Sequence, residues 1–282
     1  MLNGEKMDES INYYSHDELP PPKNPFLYYY RCFAKLFMIF LIGFGSIILG
    51  ALCFTFLRIF VHPQKNFKKA ARTLVSYSFK LYIGLCTIFG LVRTRVNNKE
   101  KYKNLKSCIV VANHPSALDM VYIISLVPNA VCVVNSYLTK TPLAFVIKQI
   151  YLVNSLDFFE LQECCKKELS EGANIIIFPE GTRTPRHGSY KYKRGAARIA
   201  LASSCPVQPI YIGGNDKYGL GKHDDFLSFN RTERWFYDFY ILEQISMKDY
   251  ENLESQIASR HITKEILSRI SKKALEQDGI KL

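Results

Sequence analysis

The 282-residue chain carries 37 Lys and Arg against 25 Asp and Glu, a formal charge of +12, and 48% of it is apolar. That length holds one domain with a full core plus an anchoring segment. The positive balance suits nucleic acid or an anionic bilayer. No zinc-ligand spacing, helix-turn-helix signal or aromatic RNA-binding pattern is present, which sets nucleic acid aside and favours the bilayer surface. The eight Cys form no C-x-x-C pair and sit mostly in apolar runs, as reduced, buried thiols on a cytosol-facing protein do.

In chain order, residues 1–33 read as a polar lead-in that gathers prolines at Pro20, Pro21, Pro22 and Pro25. A transmembrane helix is expected at 34–60. Its centre, Leu36 to Leu57, is a run of 22 uncharged residues, or roughly 33 Å at ~1.5 Å per residue, enough to cross a hydrocarbon core. The alternative is a buried helix of a soluble fold. A cleaved signal peptide is disfavoured by the length, the late start and the lack of a small-residue cleavage site. Tyr28, Tyr29 and Tyr30 suit one interface, and Arg58, Lys65, Lys68, Lys69 and Arg72 follow the run, which puts the remainder on the cytoplasmic face. Residues 61–92 are expected as an amphipathic helix in the membrane interface, with a core helix as the alternative.

From 93 to 282, strand and helix signals alternate. Strands are expected at 91–97, 108–112, 130–135, 174–178 and 206–212, and an antiparallel or edge strand at 235–242. Helices are expected at 116–126, 142–150, 160–170 and 195–203, with a closing helix over 263–276 that is apolar at Ile266, Leu267, Ile270 and Leu275. The pattern predicts an α/β fold, a mixed sheet flanked by helices, with sites at strand ends.

Two strand ends carry chemistry. The strand at 108–112 breaks at Asn113-His114-Pro115, and a helix follows with Ser116 as its expected cap and Asp119 in its first turn. A carboxylate there can hold one imidazole nitrogen and leave the other free to take a proton. The blander alternative is a strand-end histidine beside an ordinary cap. The apolar run Ile175-Ile176-Ile177 is stopped by Pro179-Glu180-Gly181, and its loop collects a carboxylate, backbone N–H groups, a hydroxyl and the Arg183 guanidinium.

Asn113 to Asp119 and Phe178 to Arg183 resemble the H-x4-D and F-P-E-G-T-R blocks of the membrane glycerolipid acyltransferases, the superfamily that contains lysophosphatidic acid acyltransferase. The resemblance covers 96–242. It implies a glycerol-3-phosphate acyltransferase-like fold with N-terminal membrane helices. The activity it implies is transfer of an acyl group from a thioester to the hydroxyl of a lysophospholipid, with 1-acyl-glycerol-3-phosphate as the leading acceptor, in phospholipid biosynthesis or remodelling. His114 is then the base and Asp119 its orienting partner. Glu180, Gly181, Thr182, Arg183 and Lys193 are then substrate-binding residues, with Arg183 suited to an acceptor phosphate. The acceptor hydroxyl stands where a triad serine would, so no acyl-enzyme is required. Acyl-CoA or acyl carrier protein is the expected co-substrate, with no metal and no tightly bound cofactor. Lys193 and Arg194 open a helix and add positive charge beside a phosphate.

One block departs from the pattern. Gln149-Ile150-Tyr151-Leu152-Val153-Asn154-Ser155 stands where many members end in an acidic residue and an Arg used in acceptor recognition, and it has no Arg. A different lipid or a non-phosphate alcohol acceptor therefore stays open, as does a catalytically silent membrane scaffold. A hydrolase is disfavoured, because no Ser or Cys lies on a nucleophile elbow.

Overall fold

The computed structural model describes residues 19–154, 157–187 and 191–279. Most of the polar lead-in, Ser155 of the departing block and Tyr190 lie outside them. The described chain opens with α1 (Pro25–Ile47), whose first turn is capped by the Asn24 side chain accepting from the Leu27 N–H. A π turn at Ile48–Cys53 joins it to α2 (Phe54–Phe60). Together they make one 36-residue helical path that starts at Pro25 rather than 34; by length and composition it can cross a membrane.

The two sides of this path differ in what they touch, not in polarity. Phe26, Tyr30, Phe33, Phe37, Phe40 and Phe44 recur at intervals of three and four residues and remain exposed, whereas Cys32, Ala34, Met38 and Phe54 are buried against the domain. Four contacts fasten the inner side. The buried Lys35 ammonium donates to the carbonyls of Gly219, Phe226 (2.6 Å) and Ser228, acceptors that offset its loss of water. At Gly50 the backbones meet: a Cβ there would lie 2.4 Å from the Phe145 carbonyl oxygen. Gln149 Nε2 donates to the Gly50 carbonyl at 3.1 Å, and the Phe54 ring meets Phe67 edge-on at 6.0 Å.

The next helix, α3 (Gln64–Ile88), also has two apolar sides. Phe67, Ala71 and Val75 are buried, and Tyr77, Leu81 and Ile88 are exposed. Its buried Arg72 pairs with Glu168 at 2.8 Å and donates to the Ile150 carbonyl, while Lys68 reaches the same carboxylate at 2.6 Å. Removing either partner of the Arg72–Glu168 pair would strand a buried charge.

The core is a seven-stranded mixed sheet. In spatial order it runs β1 (Val92–Asn97), β7 (Trp235–Ile241), β6 (Val207–Gly213), β2 (Ile109–Ala112), β5 (Asn174–Ile177), β3 (Ala130–Val134) and β4 (Leu152–Val153). Every neighbouring pair is parallel except β6 with β7. The strand expected at 235–242 is therefore antiparallel on one side and covered by β1 on the other, so it is not an edge. The two-residue β4 was not expected; it is too short to show alternation.

Successive residues of β2 face opposite cores. Val110 and Ala112 pack with α3, α5 (Asp119–Leu126) and α6 (Ala144–Ile150), and Ile109 and Val111 with α7 (Phe158–Ser170), α8 (Gly195–Ser203) and α9 (Ser255–Asp278). Helix α9 begins at Ser255, before the expected 263, because Ala258 and Ile262 extend its buried stripe of Ile266, Ile270 and Ala274. The parallel strands β2, β5 and β6 finish at one end of the sheet, where their following loops form a common wall.

Gly50→Val should cost about 1–3 kcal/mol of stability, because the side chain has to push α1 away from α6. Thermal unfolding in detergent, compared with Gly45→Val where a Cβ meets nothing within 4 Å, separates this contact from loss of backbone freedom.

Candidate active site

Beyond β2, Asn113 clips the chain to β6: its Nδ2 donates to the Ile212 carbonyl at 2.9 Å and its Oδ1 accepts from the Ile212 N–H at 2.8 Å. This two-way contact fixes where His114 leaves the sheet. Helix α5 starts at Asp119, with Leu118 and not Ser116 as its cap. Ser116 binds the carboxylate instead. Asp119 is fully buried, and its Oδ2 accepts from His114 Nδ1 at 2.8 Å and from the Ser116 N–H at 2.7 Å. Its Oδ1 accepts from Ser116 Oγ at 2.6 Å. With Oγ donating there, the Tyr237 hydroxyl, 2.7 Å away, donates to Oγ.

An ionised Asp119 leaves the Nδ1 proton on the ring and the lone pair on Nε2. The His114 ring stacks on Phe178, centroids 4.1 Å apart, and lines a cleft of about 1060 Å³. Behind it, burial raises the Tyr237 phenol well above its ordinary pKa, which keeps it a proton donor. The buried Lys217 ammonium lies 5.1 Å from the Tyr237 ring centroid and donates to the carbonyls of Gly213 (2.9 Å) and Asn215. Burial pulls its pKa down to about 8, opposed by Asp119 and three other carboxylates. Ser116, Tyr237 and Lys217 were not singled out for the site from sequence. Only Ser116 had a signal there, an Asp three residues on.

The second loop divides between lining and support. Gly181 takes φ +71°, and a Cβ on it would lie 2.8 Å from Lys193 Nζ, so glycine both makes the turn and leaves room for the ammonium. Lys193 is held by its N–H donating to the Pro179 carbonyl at 2.7 Å. Gly181, Thr182, Arg183 and Lys193 all line the cleft with His114; Glu180 does not. The Glu180 carboxylate accepts from Thr184 Oγ1 at 2.7 Å. That hydroxyl accepts the His114 N–H at 2.8 Å, and the Thr184 N–H returns to the His114 carbonyl at 2.7 Å. The expected substrate contact is therefore replaced by a brace between the two loops. Burial pushes the Glu180 carboxyl up to about 7, and its Oε2 has no hydrogen-bond partner among the described residues. Arg183 reaches the cleft, but its NH1 group donates to the carbonyls of Leu220 (2.9 Å) and Gly221 (2.6 Å), which commits part of the guanidinium to the loop before β7.

The rest of the lining pairs apolar side chains, among them Met120, Cys132, Leu138 and Leu161, with Arg194 and Arg198. Arg198 stacks over the Phe158 ring at 4.0 Å. Gln149 of the departing block is spent on the Gly50 and Phe145 carbonyls.

Residues 93–213, which carry most of the mixed sheet and the histidine–carboxylate pair at the mouth of the cleft, match the family model described as Acyltransferase. Over these residues the chain is similar to the acyltransferase family, in keeping with the two blocks. The chain is 23% identical over 168 residues to human 1-acyl-sn-glycerol-3-phosphate acyltransferase beta, covering 57% of this chain and 54% of that protein. It is 26% identical over 161 residues to 1-acyl-sn-glycerol-3-phosphate acyltransferase of Pseudomonas aeruginosa, covering 55% and 62%. It thus spans little more than half the length of these relatives. The crystal structure of the 1-acyl-sn-glycerophosphate acyltransferase PlsC from Thermotoga maritima shares the fold at a TM-score of 0.67 and 20% identity, covering 88% of this chain and 96% of that one.

A raised folded-state pKa means that the native protein binds the Glu180 proton more tightly than the unfolded chain does. Stability linked to this group is full below the ordinary value of 4.5 and is lost as pH rises through about 7. Glu180→Gln removes that loss. Between pH 5 and pH 8 the native protein should lose up to about 3 kcal/mol more than the variant, read from denaturant midpoints at the two pH values.

Proposed function

We propose that this chain is a membrane-docked O-acyltransferase that moves a fatty acyl group from a thioester to the hydroxyl of a lysophospholipid, with 1-acyl-glycerol-3-phosphate as the acceptor. The observation that carries this reading is the His114–Asp119 contact of 2.8 Å at a cleft lined by both apolar side chains and cations. The acceptor hydroxyl gives its proton to His114 Nε2 as its oxygen attacks the thioester carbon. The imidazolium that forms is stabilised by Asp119. The C–S bond then breaks, and the departing sulfur takes the same proton and leaves as a thiol. The Thr182 backbone and the Lys193 ammonium border the reacting carbonyl and supply positive potential to its developing charge.

Lys193 and Arg194, with the part of Arg183 that faces the cleft, hold the acceptor phosphate and take over from the Arg missing in the second block. The apolar lining accepts the fatty chain. Acyl-CoA and acyl carrier protein both present the required thioester.

The same reading places the domain against the cytoplasmic surface of a membrane. Between Lys35 and Phe54, about 28 Å of helix is fastened to the domain. A full crossing would draw α6 or the 219–228 loop into hydrocarbon. Embedding the exposed aromatic stripe of α1 in one leaflet buries no charge, and the outer residues of α3 extend that apolar surface.

His114→Ala should abolish transfer while leaving the unfolding midpoint and vesicle association intact; turnover retained within ten-fold in a thioester-cleavage assay would remove His114 from the mechanism. Lys193→Gln separates the acceptors: KM should rise about ten-fold for a phosphate-bearing acceptor and stay level for a neutral lipid alcohol. An equal rise for both would remove the phosphate role.

A further inference from the structure

A second cavity, of about 340 Å³, lies at the β1 edge of the sheet, and Arg31, Arg93 and Arg234 line it together with Glu233. Each guanidinium arrives from a different element. Arg31 is on α1, one turn before the buried Lys35, 5.7 Å from the Phe229 ring centroid, and its buried Nε has no hydrogen-bond partner among the described residues. Arg93 is on β1, in register with Phe236 of β7 and 5.3 Å from that ring centroid. Arg234 immediately precedes β7, where Asn215 holds it: Nδ2 donates to the Arg234 carbonyl at 2.9 Å, and Oδ1 accepts from the Phe236 N–H at 2.6 Å. Two residues beyond Arg93, Arg95 is neutralised by Asp238. Among the described residues none of the three cavity arginines has such an ion pair, and Glu233 is the sole carboxylate in the lining.

Three guanidiniums around one concavity repel one another, and one carboxylate leaves a net positive site. Planar forks that converge in this way match the oxygens of a phosphate ester. The position says where that phosphate comes from. Because β7 runs antiparallel to β6, the starts of β7 and β1 lie at the sheet end where β2 and β6 finish. The cavity is thus on the side of the catalytic cleft, three strands from β2, or roughly 14 Å at ~4.8 Å per strand. On α1, Arg31 is flanked by the exposed Tyr29 and by Tyr30 and Phe33 of the outer stripe.

We propose that this cavity binds the phosphate of an anionic bilayer phospholipid that is not a substrate, with the lipid chains against the aromatic stripe. The bound headgroup sets the depth and rotation at which the domain sits on the membrane. The site rests on the membrane-docking reading and is independent of the chemistry at His114.

The test uses the full chain in three forms: native, Arg31→Gln/Arg93→Gln/Arg234→Gln, and Lys99→Gln/Lys101→Gln/Lys103→Gln. The last loses the same charge from the exposed sides of the short helix α4 (Lys99–Lys103). Flotation is measured with vesicles of phosphatidylcholine alone and with phosphatidylglycerol added. The arginine variant should lose at least about ten-fold in affinity for the anionic vesicles, the lysine variant no more than about three-fold, and neither should change on phosphatidylcholine. Equal losses in the two variants would reduce the effect to overall charge and overturn the site. If the triple variant does not fold, Arg93→Gln/Arg234→Gln, at two exposed positions, carries the same comparison. Inorganic phosphate at tens of millimolar is the second probe. If it raises the unfolding temperature of the native chain alone while vesicle binding is unchanged, the cavity takes free phosphate and the lipid assignment fails. Turnover of a water-soluble short-chain acceptor should be the same in all three forms, so failure of this site and failure of the acyl-transfer reading are distinguishable.

Discussion

The structure turns on satisfying one carboxylate without water. Asp119 has no exposure, and an unsatisfied carboxylate in that position would cost several kcal/mol. Three donors come from a six-residue segment, the His114 ring and the N–H and hydroxyl of Ser116, and they bind only if the chain folds back between β2 and α5. A fourth group arrives from the far side of β6: Tyr237 reaches Ser116 from β7. The site is therefore local in sequence for its chemistry and long-range for its support. An imidazole that is aimed before substrate arrives needs no rearrangement during reaction.

The loops around that carboxylate are held by a second set of contacts. Asn113 ties the first loop to β6, Glu180 and Thr184 tie the second loop to the first, and Arg183 ties the second to the segment before β7. Arg186 extends the series to Asp216 and Asp224, at 3.0 and 2.8 Å. The Phe-Pro-Glu-Gly-Thr-Arg block is thus part cleft wall and part scaffold. Gly181 and Thr182 face the cleft, Glu180 faces inward, and Arg183 does some of both.

How legible each feature was in the sequence follows from the range of the forces that made it. Strand β2 is an unbroken apolar run, β5 carries three successive Ile and β6 holds Ile210-Tyr211-Ile212, so their positions were within one residue of those expected. Helix α8 matched at both ends. The first two turns of α9 were hidden because Ala258 and Ile262 are spaced among Ser, Gln, Arg and His, and only packing shows which side is inward. The spacing of His114 and Asp119 left an ordinary strand-end histidine equally open, and it was the second block that pointed to the pairing. The inward turn of Glu180 was not legible, because its partner Thr184 bonds back to His114, a residue 70 positions away. Tyr237 and Lys217 carried no local signal, since sheet order alone brings them behind Ser116.

The contact at Gly50 has a mechanical consequence. With its backbone against that of Phe145, the first helix is locked about its own axis, so its aromatic ridge cannot roll inward when the lipid is absent. Such a keel stays wetted in water and favours self-association or detergent over a free monomer. Docked in one leaflet as proposed, it would respond to the packing of that leaflet and be blind to the thickness of the whole, the variable that sorts proteins with spanning segments.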